Sequence, residues 1–157
     1  MRALYSGGTF CSEAQAIWRA QGIVAWSNVP LDKTRLLEDP HSSLESSAID
    51  LGDDAFTVGK PHPMIDHSTR VARILEEATD PAVGVLLLDV VLGYGSHDDP
   101  AAILAPAIRS ARQLAADADR HLSVVTFVCG TDEDPQRLPA QQQMLRDAGA
   151  LVAPSST

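Results

Sequence analysis

An α/β fold built on a mainly parallel sheet is what this sequence predicts, and three observations carry that prediction. Strand-like and helix-like runs alternate from one end of the chain to the other. The run Val83–Val91 is almost continuously apolar, as expected of a central parallel strand covered on both faces. The loops that follow the strand-like runs are rich in Gly, Asp, His and Thr. Open α/β sheets bind ligands at that end.

The elements follow in order. Arg2–Ser6 reads as a first strand closed by Gly7-Gly8, and the next helix has Thr9 or Ser12 as its N-cap. Ser12 and Gln15 have capping-box spacing, Ala14, Ile17 and Trp18 form the inward face, and Gly22 stands at the C′ position. Ile23–Ser27 is a second strand. The polar stretch Leu31–Ser47 is an excursion with a short helix near its start. Ala48–Leu51 is a third strand, and a helix opening at Asp66 or Ser68 buries Val71, Ile74, Leu75 and Ala78. After Val83–Val91, Pro100 suits the N1 position of a helix capped by Asp98 or Asp99. Pro106 inside that helix is expected to delay its start or kink it. Leu122–Cys129 is a further buried strand, Pro139–Ala148 a last helix, and Leu151-Val152 a short edge strand. Alternation of this kind implies right-handed βαβ crossovers with helices on both faces.

Length and composition limit the functions available. The 157 residues suit one domain, 1–157, and 45% hydrophobic residues can fill a core. Only 4% are aromatic, so that core is aliphatic. A net charge of −9 with no Lys/Arg cluster argues against nucleic acid and anionic membrane as partners. No apolar run approaches the roughly 20 residues of a membrane span. The start lacks a signal-peptide core, and two lone cysteines make no disulfide framework, so a cytoplasmic location is expected.

Four loops fall at the carboxyl ends of the strands: Ser6–Ser12, Gly52–Pro63, Gly93–Asp99 and Gly130–Gln136. The residues in and around them resemble a known family. Arg2-Ala3-Leu4-Tyr5-Ser6-Gly7-Gly8-Thr9, Asp50 to Asp66 (with Gly52-Asp53-Asp54 and Gly59-Lys60-Pro61-His62-Pro63-Met64-Ile65), Leu88 to His97 and Cys129 to Gln136 carry the likeness, in order along nearly the whole chain. The chain resembles the carboxy-terminal ligase-type domain of the succinyl-CoA synthetase superfamily, and most closely that of FdrA proteins.

The resemblance implies a flavodoxin-like, three-layer α/β/α fold with a five-stranded, mainly parallel sheet. It implies acyl-CoA ligase-type chemistry or carbamoyl transfer of the oxamate carbamoyltransferase type. It also implies a partner, a Rossmann-type domain or subunit binding coenzyme A or nucleotide. No G-x-G-x-x-G follows the first strand here, so the chain resembles half of an enzyme. Phosphate, coenzyme A or Mg-ATP would reach the site through that partner, with no cofactor held tightly by this chain; self-association is a further option. Synthetase-type relatives carry a phosphorylated His in the loop corresponding to Gly130–Gln136. No His lies between Cys129 and Leu145, which favours carbamoyl transfer without a phosphoenzyme.

Residue by residue, Gly7, Gly8 and Thr9 open a helix whose free N–H groups and dipole suit an anion; an ordinary strand-to-helix turn would look the same. Lys60, Gly93 and Gly95 are further phosphate-binding candidates. His97 and His62 are the candidate catalytic residues, placed to donate a proton or hydrogen bond, against the alternative of loop histidines. Asp53 and Asp54 would hold Mg²⁺ or perturb one another, against a solvated turn. Asp89, in an apolar strand, needs a partner, with Lys60 or a neighbouring loop as the expected source. Cys11 and Cys129 read as small buried filler. No metal-ligand spacing stands out, and no metal site is assigned. The reading from another class is a non-catalytic docking module whose loops bind a larger assembly.

Overall fold

The computed structural model describes residues 1–156. Its elements are β1 (Arg2–Tyr5), α1 (Gly8–Ala20), β2 (Trp26–Ser27), a 3-10 turn (Lys33–Arg35), β3 (Ser47–Asp50) and α2 (Asp54–Thr57). Then come α3 (Ser68–Thr79), β4 (Val85–Val91), α4 (Pro100–Asp117), β5 (Ser123–Cys129), α5 (Leu138–Asp147) and β6 (Leu151–Ala153). The strands form one sheet in the order β2-β3-β1-β4-β5-β6, every neighbouring pair parallel. Without β2 this is the flavodoxin-like order. The five strands that the resemblance implies are corrected to six, because the run read as a second strand does pair, as the two-residue β2 on the outer edge of β3.

β2 is shorter than its apolar run suggested, for a reason that lies in α1. The helix ends in a Schellman motif: Gly22, at φ +75°, donates to the Arg19 carbonyl, and Ile23 donates to that of Trp18. Ile23 is thereby tied to the helix and cannot begin a strand. The other end of α1 also differs from expectation. The helix starts at Gly8 with Gly7 as N-cap, and no side chain caps it. Ser12 lies inside the helix. Gln15, its expected capping partner, instead donates to Ser27 Oγ and the Val29 carbonyl and accepts from Leu31 N–H, pinning the excursion after β2.

α4 has Asp99 as N-cap, accepting from Ala102 N–H, and Pro100 at N1. It runs unbroken past Pro106, whose missing N–H would otherwise have bonded the carbonyl of Ala102, an exposed residue.

The two faces of the sheet are covered unequally. Leu4, Ile49, Leu86, Leu88, Val90, Val124 and Val128 join the larger core with residues of α3, α4 and α5. On the other face α1 packs Cys11, Ala14 and Trp18 on Ala3 and Ala48. Phe10, in the first turn of α1, meets Phe127 of β5 edge-on at 5.6 Å and steers that turn over the middle of the sheet.

The sheet contains one switch point, where the chain passes from the β3 side of β1 to the β4 side. β1 and β4 stay in register from Arg2↔Leu86 to Leu4↔Leu88, and then the pairing stops. Asp89 fills the opening. Its Oδ1 accepts from Ser6 N–H at 2.8 Å and its Oδ2 from the Ser6 hydroxyl. Its cation is not Lys60 but Arg70 of α3, whose Nη2 lies 2.5 Å from Asp89 Oδ1 and also donates to the Leu4 carbonyl. Arg70 is wholly buried and Asp89 is 1% exposed. Lys60 is exposed and forms no ion pair among the described residues.

Removing one member of a buried ion pair leaves the other charge uncompensated. Arg70→Met should therefore destabilise the chain by about 3–5 kcal/mol in urea denaturation. The double variant Arg70→Met/Asp89→Leu should recover a substantial part of that loss; equal loss in the single and double variants would show that the pair is not what holds the opening closed.

Candidate functional site

The switch point gathers side chains from four segments. From β1 and α1 come Ser6 and the free N–H groups at the start of the helix, since Gly7 provides no capping side chain. Thr9 is exposed and its hydroxyl does not cap the helix. From the end of β3 comes Asp50, whose Oδ1 accepts from Gly52 N–H at 2.8 Å. Its other carboxylate oxygen accepts no hydrogen bond among the described residues. That oxygen faces α1: a Cβ on Gly8 would lie 3.0 Å from Asp50 Oδ2. A Cβ on Gly52 would lie 2.7 Å from His62 Nε2, 2.8 Å from the Ser6 carbonyl and 3.1 Å from Asp50 Oδ1. Both glycines are thus required by close approach.

His62 and His97 are held in the same way. Nδ1 of His62 accepts from Met64 N–H, and Nδ1 of His97 accepts from Asp99 N–H, each two residues on. An acceptor Nδ1 leaves the proton of the neutral ring on Nε2. Each imidazole therefore presents an N–H donor. The two loops are also joined, since His97 N–H donates to the Met64 carbonyl at 2.8 Å.

Beside His97 lies His67, which sequence reasoning passed over. Its ring is 5.5 Å from that of His97 and is 4% exposed. Six buried side-chain nitrogens or oxygens among the described residues lack a hydrogen-bond partner, and four of them belong to His67 and Arg70. Burial, with Arg70 and His97 nearby, pushes the His67 imidazole down to about 4, so it is neutral at neutral pH. The Asp50 carboxyl is pushed the other way, upward, chiefly by burial.

The remaining candidates are placed as follows. Asp53 caps α2, accepting from Ala55 N–H, and Asp54 is exposed in its first turn. Gly93 already donates its N–H to Gln136 Oε1. Gln136 also donates to the carbonyls of Gly93 and His97, clasping the loop. Gly95, at φ +83°, is exposed at the tip of that loop. Burial pushes the Cys11 thiol up to about 11 and raises Cys129 as well, so neither is an activated nucleophile.

Asp50, His67, Arg70 and Gln136 are thus the site-region residues that sequence reasoning missed. Arg70 left a signal: it is four residues before Ile74, a charge on the inward stripe of α3, and it matches the lone acid of the most apolar strand. His67 and Gln136 left none, because what sets them apart is burial.

These features define a flavodoxin-like α/β domain whose polar residues converge at the switch point. The chain belongs to the CoA-ligase family, whose model matches residues 4–157, and is a succinyl-CoA synthetase-like domain. The uncharacterised protein YahF of Escherichia coli (strain K12) is 45% identical over 158 residues, covering all of this chain and 30% of YahF. This chain therefore spans about a third of that relative's length. No helix among the described residues is long and apolar enough to cross a membrane.

A neutral buried His67 makes folding sensitive to acid. Its imidazole lies below the ordinary value of 6.5 in the folded state, so its contribution is intact above that value and is lost as pH falls from 6.5 toward about 4. The stability difference between wild type and His67→Gln should change by about 3 kcal/mol across that window. A difference that stays constant with pH would show that the ring already ionises in the folded state.

Proposed function

We propose that this chain supplies the oxyanion-holding half of an FdrA/succinyl-CoA synthetase-like enzyme. In this reading the amino end of α1 binds the phosphoryl group of an acyl or carbamoyl phosphate, and a partner domain presents the acceptor. The uncapped start of α1 is the observation that carries the reading, because it stands at the switch point with glycines at positions 8 and 52. Unsatisfied N–H groups and the positive end of the helix dipole favour an anion there. Behind that helix end, Arg70 and Asp89 neutralise one another, so the N–H groups are free to act on a ligand.

The chemistry asked of the chain is positional and electrostatic. Helix N–H groups from Gly8 and Thr9 hold the oxyanion as charge moves onto it, and the Nε2–H of His97 or His62 supplies a proton or hydrogen bond to the group in transit. Lys60, exposed on its loop, would add a cation only when a partner closes over it. Carbamoyl transfer suits the set better than a phosphohistidine relay, since the loop Gly130–Gln136 contains no His. Coenzyme A or nucleotide would be carried by the partner domain. Val58, Ile65 and Tyr94 are exposed on the loops that carry His62 and His97, and this apolar rim is consistent with a docked partner around the site.

Phosphate or carbamoyl phosphate at about 100 times its dissociation constant should stabilise the chain by about 2.7 kcal/mol, read as a rise in melting temperature. Gly8→Val should abolish that rise, because a side chain there meets the Asp50 carboxylate. His97→Ala should lose turnover in the complex reconstituted with the partner. Full activity of both variants in that complex would overturn the assignment, and stabilisation by coenzyme A alone would move the reading toward a synthetase.

A further inference from the structure

Asp50 is an anomaly in a site read as binding anions. It is the last residue of β3, it is 8% exposed, and its free carboxylate oxygen faces the first residue of α1. Nothing about its placement is loose. The Asn28 side chain donates to the Asp50 carbonyl and accepts from Asp50 N–H, both at 2.9 Å, and Gly52 N–H fixes Oδ1. These bonds hold the Asp50 backbone and one carboxylate oxygen in place.

Two like charges at one helix terminus repel strongly, and the usual resolution is a shared proton. We infer that Asp50 is the proton-carrying group of the site: a dianionic oxyanion is held at the amino end of α1 with one proton between it and Asp50 Oδ2. The inference rests on the anion reading above and deepens it. Binding takes up one proton from solvent, which forms an O–H bond on Asp50 and hydrogen-bonds the ligand oxygen; release returns it. During transfer the same proton is available to a leaving oxyanion.

The groups that face Asp50 are consistent with this role. Asp53 from its own loop and Asp89 from β4 disfavour its charge, with Asp89 itself paired to Arg70; His62, ahead of α3, favours it; Cys11 of α1 is an un-ionised thiol. Burial is the largest influence and also favours the protonated acid. His62 Nε2 and Asp50 Oδ1 both lie close to the point that a Cβ on Gly52 would occupy, at 2.7 Å and 3.1 Å from it.

Sulfate tests this, because it stays dianionic from about pH 5.5 to about pH 8.5, where phosphate would titrate itself. The full chain would be titrated with sulfate at constant ionic strength in wild type, Asp50→Asn and His62→Gln. Wild-type affinity should fall about tenfold per pH unit on the alkaline side, and calorimetry in buffers of different ionisation heat should show uptake of about one proton per sulfate. Asp50→Asn keeps the acceptor for Gly52 N–H; it should bind at least about tenfold more tightly than wild type at high pH, with no dependence on pH. His62→Gln should keep the wild-type slope. Flattening in His62→Gln with the slope intact in Asp50→Asn would assign the proton to His62 and overturn the inference. Wild-type binding that ignores pH would remove the proton link alone. Wild-type binding at no pH would remove the anion site and the inference with it.

Discussion

The Arg70–Asp89 pair is the constraint from which the rest of the site follows. At the switch point β1 and β4 part after Leu4↔Leu88, and the backbone of Ser6 loses its ladder partner. An apolar residue at position 89 would leave that N–H unsatisfied. An aspartate satisfies both the N–H and the Ser6 hydroxyl, but it brings a charge into the core. Arg70 is the answer to that charge, and it also ties the Leu4 carbonyl to α3. One ion pair thereby fixes where β1 ends, where α1 begins and how α3 sits beneath both. Continuum estimates make such a pair a weak source of net stability, so its value here is in position.

Around that centre, neutral amides do the fastening. Gln15 holds the excursion after β2, Asn28 fixes both backbone groups of Asp50, Gln136 clasps the His97 loop, and Gln141 donates to Asp99 while accepting from Ala101 N–H. An amide is suited to this work because it donates and accepts at once and brings no charge into the interior. The loops at the carboxyl end are consequently placed by bonds from within the domain. His62 and His97 are held alike, each with Nδ1 spent on a backbone N–H two residues on.

Much of this was legible in the sequence, and the failures share a cause. The alternation of elements, the switch-point loops, the Asp99 cap with Pro100 at N1 and the glycine after α1 all depend on neighbours within a few residues. Asp89 was visible as an acid in an apolar strand needing Lys60 or a neighbouring loop; it does hold Ser6 of the neighbouring loop, but its cation comes from the buried stripe of α3. The adjacent acids Asp53 and Asp54 drew attention, yet one caps α2 and the other is exposed, while Asp50, an unremarkable strand-end residue, faces the helix. Ser12 and Gln15 matched a capping box, but Phe10 packing on Phe127 and the turn at Gly7 start the helix a full turn earlier.

The sequence by itself determined the class of fold, the order of its elements and the four loops at the carboxyl ends of the strands. Those follow from hydrophobic period, capping residues and glycine positions, which act over short stretches of chain. Tertiary structure alone decided how short β2 is, that Arg70 and not Lys60 answers the charge of Asp89, and that Asp50 faces the start of α1 while His67 is buried beside His97. Those outcomes depend on desolvation and on contacts between residues tens of positions apart. Whether a given acid or imidazole is held charged or neutral is set by what surrounds it in space.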